Sequence, residues 1–350
     1  MTEASTPAFS VLDLATVSEG STSGAALANS TDLARRAEAL GYHRHWVAEH
    51  HNMPGIASSA PPVLAAHLAA STERIKIGSG GVMLPNHAPL VVAEQFGMLE
   101  ALHPGRIDLG IGRAPGTDGV TASALRRSAN PLSADEFPQA LGELLHFFEG
   151  QWPEGHPYDS ITAVPAEGNM PEIWLLGSSD YSAQLAGMLG WPFSFAHHFS
   201  PRNTLPALEA YRARFKPSER LEKPYSMVAV SVVCAEDDER ARYLAGPAKL
   251  SMARLRSGKP TKFPSYEEAA AYDFSSAEEA TISSMSGSAI IGGPETVKAK
   301  LEQLMAETEA DELMVTTMVF DHADRIRSYE MVAELMAIDA VVPRGETSAV

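Results

Sequence analysis

Cysteine is nearly absent from this 350-residue chain. Cys234 stands alone, so no intramolecular disulfide can form, which fits a reducing compartment. It lies at the end of the apolar run 228–233 and reads as a small buried hydrophobe. Positive charge is scarce too: 27 Lys and Arg face 44 Asp and Glu, a formal net charge of −17. So acidic a surface repels nucleic acid and anionic membranes, which excludes both as partners. Apolar runs stay far short of the ~20 residues that cross a bilayer. The first ten residues, MTEASTPAFS, carry neither the basic region nor the apolar core of a secretory signal. The expectation is a soluble, cytoplasmic protein.

What is present is globular: 45% hydrophobic and 20% charged residues. Short apolar runs alternate with amphipathic segments. Strands are expected at 9–14, 46–48, 75–79, 107–111, 173–176, 193–196, 227–234 and 313–317. Helices are expected at 31–40, 61–70, 90–102, 121–127, 133–148, 180–190, 205–215, 236–255, 294–305 and 322–336. Eight strands alternating with helices predict an α/β fold, a (β/α)8 TIM-like barrel over residues 1–340 with an insertion before the last strand. A doubly wound sheet is the alternative. The polar stretch 257–287 reads as that insertion, irregular and able to act as a lid. The tail 341–350 is expected to fray.

In such a barrel the chemistry collects where strands end. Residues 75–117 form a strand–helix–strand unit with glycine at both exits, Gly80-Gly81 and Gly110 to Gly116. Glycine there permits a close ligand approach or simply a turn. Glu49-His50-His51 follows the second strand, giving imidazoles beside a carboxylate for proton transfer. With His197 and His198 after the sixth strand, the same residues could hold a metal, or sit hydrogen-bonded in the structure. His43 and His45 have metal-ligand spacing but fall at the start of a strand, the stability end. Gly177-Ser178-Ser179-Asp180-Tyr181-Ser182 turns a strand into a helix. There free N–H groups and hydroxyls suit a phosphate, unless Ser179 or Asp180 merely caps the helix. Gly110-Ile-Gly-Arg-Ala-Pro-Gly116 misses the dinucleotide fingerprint, because its third glycine is late and Pro115 stands where a helix should begin. Arg113 could pair with an anion or with a surface carboxylate.

In these motifs the chain resembles the bacterial luciferase-like, flavin-dependent monooxygenase superfamily, in an uncharacterised single-chain branch. The resemblance rests on WVAEHH (46–51), SGGVMLP (79–85), PLVVAEQ (89–95), GRIDLGIGRAP (105–115), the 177–182 turn and 292–321. It implies a TIM-like barrel, non-covalent FMN delivered reduced by a separate flavin reductase, and O2 reacting at flavin C4a to oxygenate a small organic substrate. Residue by residue it implies His50 as the catalytic histidine and Glu49 as its acidic neighbour. Gly80 and Gly81 match a non-prolyl cis peptide against the flavin ring. Gly177, Ser178, Ser179 and Tyr181 match a phosphate site, with Arg113 near it. A homodimer is also implied. Gly112 stands where the luciferases have a reactive cysteine, so thiol-modulated flavin behaviour is not expected. Three alternatives stay open: hydride transfer with the deazaflavin F420, a metal-dependent hydrolase, and a non-enzymatic flavin-binding protein.

Overall fold

The computed structural model describes residues 7–126, 136–286 and 288–339. The first half of the chain runs β1 (Ala8–Asp13), α1 (Ser23–Leu40), β2 (Arg44–Val47), α2 (Pro61–Ala70), β3 (Lys76–Met83), α3 (Pro89–Leu102), β4 (Ile107–Gly112), α4 (Gly119–Arg126) and α5 (Phe137–Glu149). Then come β5 (Glu172–Gly177), α6 (Asp180–Leu189), β6 (Phe193–Phe195), α7 (Thr204–Arg214), β7 (Ser226–Cys234) and α8 (Asp238–Arg256). The chain continues through α9 (Tyr266–Ala271), α10 (Ser276–Ser286), β8 (Ile290–Gly292), α11 (Pro294–Thr308), β9 (Glu312–Thr316) and α12 (His322–Leu335).

Eight of these strands close into a parallel barrel. The sheet runs from β1 through β6 in sequence order, and β7 joins β6 to β9, which returns to β1. The eighth stave is β9, as expected, with the insertion ahead of it. β8 lies outside the barrel: Ile290–Gly292 pair with Val232–Cys234, above the segment of β7 that pairs with β9. The sequence reading did not anticipate this three-residue strand.

Alternation along the strands sorts side chains between two cores. Outward residues such as Val11, Val47, Ile77, Leu109, Ile173, Phe193, Val228 and Val315 meet the helices in one large apolar cluster. Inward residues fill the barrel in layers. At the N-terminal end Arg44 donates to Asp108 (2.9 Å) and Glu312 (3.1 Å), and Ser10 also bonds Glu312. Above this charged plug sit Leu12, Trp46, Trp174, Met227 and Met314. The two indoles meet edge to face at 5.3 Å. They have room because β3 offers Gly78, where a Cβ would lie 2.8 Å from Trp46 Nε1. Higher up, the small side chains of Ala48 and Ala229 join the same inward cluster, against which Leu14 and Leu176 pack.

Two further differences have local causes. α1 begins eight residues earlier than expected, at Ser23, because Thr22 caps it by accepting from the Ala25 N–H (3.1 Å). The insertion is not irregular, since Ser265 caps α9 and α10 follows. It is also pinned to the loop after β1. Phe263 is buried and exchanges backbone hydrogen bonds with Val17 and Glu19, while Lys262 Nζ donates to Ser21 O. Residues 133–135 of the expected helix, Arg127 of another and the tail 341–350 lie outside the described residues.

Candidate active site

The exit of β2 is built around a buried carboxylate. Glu49 has no exposed surface, and His51 Nε2 (2.9 Å), His87 Nε2 (2.9 and 3.1 Å), the Met83 N–H (3.0 Å) and Asn86 Nδ2 (3.3 Å) all donate to it. Burial alone would raise its pKa. The bonds from His51, His87 and Met83 outweigh that and hold it at about 2. Every lone pair of this carboxylate is thus engaged by protein. These bonds tie the β2 exit to the end of β3 and the turn after it (84–86).

His50 is the neighbour left to face the mouth. Its N–H donates to Ser58 O (3.1 Å), and its Nδ1 lies 3.3 Å from Gly116 O. A carbonyl only accepts, so Nδ1 carries the proton and Nε2 presents a lone pair. Burial lowers the pKa of the ring, and the bond to Gly116 and the charge of Glu49 only partly restore it. The stretch around Gly116 therefore serves the β2 exit. Gly116 has φ +64°, and a Cβ there would come 2.9 Å from Glu49 O. Asn86 Nδ2 donates to Pro115 O (2.9 Å) and Thr117 Oγ1 to His51 O (2.9 Å). Gly110 to Gly116 is a clamp on the histidine loop.

Beside it, the Gly80–Gly81 peptide bond is cis. Neither residue has space for a side chain: a Cβ on Gly80 would meet Leu12 Cδ1 at 2.8 Å, and one on Gly81 the Gly110 carbonyl at 2.7 Å. The β3 exit is consequently bare backbone packed against Leu12 and the Gly110 carbonyl.

Two strands further on, β5 leads into α6. Ser179 is the N-cap in extended conformation, yet no side-chain bond caps the helix. The capping role weighed for Ser179 and Asp180 is thus not in use, and the helix N-terminus has N–H groups to offer an anion. Gly177 holds the turn through its carbonyl, which accepts from the Ala196 N–H (2.9 Å). From β4, Arg113 reaches across so that its guanidinium carbon lies 4.2 Å from the Tyr181 ring centroid. Arg113, Ser178, Ser179 and Tyr181 thus share one corner of the mouth.

The remaining histidines separate by environment. His45 is fully buried among the helix-facing side chains, 3.6 Å from Asp13, and His43 sits by the Arg44 plug. His197 Nδ1 bonds Thr204 Oγ1 at the start of α7 (2.8 Å). His198 instead turns to β7, its backbone N–H and its Nδ1 both reaching Ala229 O (3.1 and 3.0 Å). It belongs to the mouth, and its place there depends on which neighbouring ring turns inward, which adjacent histidines in a sequence do not reveal. Among the described residues no group of three or more His, Cys, Asp or Glu is arranged to hold a metal. No helix among them is long and apolar enough to cross a membrane.

Residues 8–312 match the family model described as luciferase-like monooxygenase. The chain belongs to the luciferase-like monooxygenase family. It is 52% identical to the uncharacterized protein YvbT of Bacillus subtilis (strain 168), over 93% of this chain and 96% of that one. It is 46% identical to a luciferase-like monooxygenase of Escherichia coli (strain K12), over 94% and 97%. An N-acetyl-S-alkylcysteine monooxygenase of Bacillus subtilis is 35% identical over 93% and 97%. Among solved structures, apo-MsnO8 superposes with a TM-score of 0.85 at 35% identity, covering 96% of this chain and 100% of that one. Two others share the fold alone. The oxygenating constituent of 3,6-diketocamphane monooxygenase from Pseudomonas putida, in complex with FMN, has a TM-score of 0.69 at 20% identity over 97% and 100%. An F420-dependent secondary alcohol dehydrogenase has 0.67 at 15% over 94% and 99%.

Proposed function

We propose that this luciferase-like monooxygenase binds FMN at the barrel mouth and, given the flavin reduced, uses O2 to oxygenate a small organic substrate. The observation that carries the reading is one juxtaposition. A helix N-terminus with no side-chain cap, flanked by Arg113 and Tyr181, lies two strands from the side-chain-free Gly80–Gly81 backbone. A flavin needs those two features together, a phosphate cradle and a flat floor. The two glycines give that floor backbone and no side chain, and the donor set of the cradle is right for a phosphate dianion.

Bound reduced flavin supplies the electrons and the place where O2 is activated. In this reading the backbone of Gly80 and Gly81 supports the ring, while the N–H groups and hydroxyls of Ser178 and Ser179 hold the phosphate. Gly177 shapes that turn, and Arg113, held by Tyr181, adds charge. His50 Nε2 takes up or returns a proton at the reacting centre. Glu49 keeps the β2 and β3 exits in register. The insertion after α8 covers the mouth and excludes water. The family resemblance supports electrons delivered by a separate flavin reductase.

Isothermal titration with FMN tests the cofactor, and oxygen uptake with photoreduced FMN tests the chemistry. FMN binding at micromolar levels and accelerated oxygen consumption are expected. Binding without acceleration over free flavin would leave only a flavin-binding protein, and binding of F420 in place of FMN would move the reading to hydride transfer. His50→Ala should lower turnover with little change in FMN affinity; equal loss of both would make its role binding.

A further inference from the structure

The mouth holds a second imidazole that this flavin reading leaves unassigned. His198 follows the short β6, in the turn that leads to α7. Its backbone N–H and its Nδ1 converge on one acceptor, the Ala229 carbonyl, at 3.1 and 3.0 Å. Two donors on one oxygen fix both the turn and the ring orientation. Because the acceptor is a carbonyl, Nδ1 carries the proton and Nε2 is left with a lone pair. Ala229 faces the barrel interior in the same cluster as Ala48, two residues before His50. His50 is fixed in the same manner by Gly116 O. The Phe199 ring, half exposed at the rim, lies 4.2 Å from His198 between centroids.

Charge at this place is disfavoured. Burial is the main cause, and it carries the His198 pKa down to about 4. The bond to Ala229 opposes the fall, while His197 and His50 add to it. His50 is lowered in the same sense, again chiefly by burial, with the Gly116 bond and Glu49 opposing the fall. At neutral pH both rings are therefore uncharged acceptors. The two are locked in the same tautomer, one after β2 and one after β6, strands that face each other across the barrel, and near enough for the charge of one to bear on the other.

We propose that His198 is a substrate-binding residue that acts with His50. The two outward Nε2 atoms form a paired acceptor selecting substrates that present a hydrogen-bond donor, an O–H, N–H or S–H group, toward the cofactor floor. The proposal rests on the flavin reading for the identity of the floor, not for the geometry of the two rings. It specifies the substrate as a donor-bearing molecule rather than a bare hydrocarbon or an ether.

The test uses phenol and anisole, which carries a methyl group where phenol carries the donor hydrogen. In the flavin-free protein with 15N-labelled histidine, long-range 1H–15N spectra should show His50 and His198 both as Nδ1–H tautomers. Phenol at millimolar levels should then shift both Nε2 resonances, and anisole neither. With FMN bound, phenol should bind roughly tenfold more tightly than anisole, the worth of one or two good hydrogen bonds in a dry site. His198→Asn keeps a donor to Ala229 O and deletes Nε2. It should cut the preference to what His50 alone supports and leave FMN affinity unchanged, and His198→Gln, which returns a polar atom near Nε2, should recover part of the loss. An Nε2–H tautomer at His198, or a preference unaltered in His198→Asn, would overturn the proposal. Wild-type protein that binds no FMN yet shows the paired Nε2 shifts would sink the flavin reading and support this one.

Discussion

Glu49→Gln is the most informative single substitution, because it keeps the shape of the side chain and removes its charge. In the folded protein the carboxylate accepts from two imidazoles, one backbone N–H and one amide. Glutamine offers one acceptor oxygen, and its NH2 group would point at donors already there. Burial opposes ionisation of Glu49, yet the bonds from His51 and His87 bring its pKa from 4.5 to about 2. That fall corresponds to about 3 kcal/mol of folding stability at neutral pH. The sign follows from the depressed folded value. The stabilisation is complete above about pH 4.5, where the unfolded chain is also ionised, and fades as pH falls toward 2. Urea denaturation at pH 7 should therefore show Glu49→Gln weaker than wild type by about 3 kcal/mol, roughly 1 M in midpoint at an m-value near 3 kcal/mol/M. At pH 3 the gap should have shrunk to half or less. A variant within 0.5 kcal/mol of wild type at pH 7, or a gap unchanged at pH 3, would refute this role for Glu49. FMN affinity should drop with it, because the Met83 N–H that Glu49 holds lies just past the Gly80–Gly81 floor.

Further outcomes follow from the same geometry. Ser178→Ala with Ser179→Ala should weaken FMN by about a hundredfold or more, two lost bonds to a charged group, while riboflavin binding is unchanged; equal loss for both ligands in the titration would move the phosphate elsewhere. Gly81→Ala should cost more thermal stability in calorimetry than Gly80→Ala. Its Cβ meets the Gly110 carbonyl at 2.7 Å, whereas that of Gly80 meets the movable end of Leu12; the reverse order would contradict the packing. Arg44→Ala should destabilise by about 3–5 kcal/mol in the same urea assay, because it strands Asp108 and Glu312 without their partner. Burial already lifts the Asp108 pKa to about 6 against the pull of Arg44. FMN affinity of the folded fraction should not change, since the plug lies at the other end of the barrel.

Most of the fold was legible because a parallel barrel writes each strand as a short apolar run and each helix as a periodic one. Where the reading slipped, the local pattern was weak. β8 has three residues and no alternation to detect. The start of α1, SGAALANS, is small and polar and looks like loop until Thr22 is seen to cap it. Residues 257–287 are polar overall, yet the Ser265 cap with Glu267 and Glu268 in the first turn of α9 is a helix start that composition concealed. The site divided in a similar way. Motif positions were visible, but roles that depend on pairing across strands were not. Glu49 reads as an acid beside a histidine, and only the arrival of His87 and the Met83 N–H from β3 and the turn after it shows it fully engaged. His198 needs the β6–β7 pairing to separate it from His197.

A crystal structure with FMN bound tests the central claim most directly. The isoalloxazine ring should lie against Gly80–Gly81, with His50 and His198 above it. The phosphate should sit at the N-terminus of α6, within hydrogen-bond reach of Ser178 and Ser179 and beside Arg113. Flavin lying away from β3, or a phosphate that leaves the α6 N-terminus empty, would contradict it.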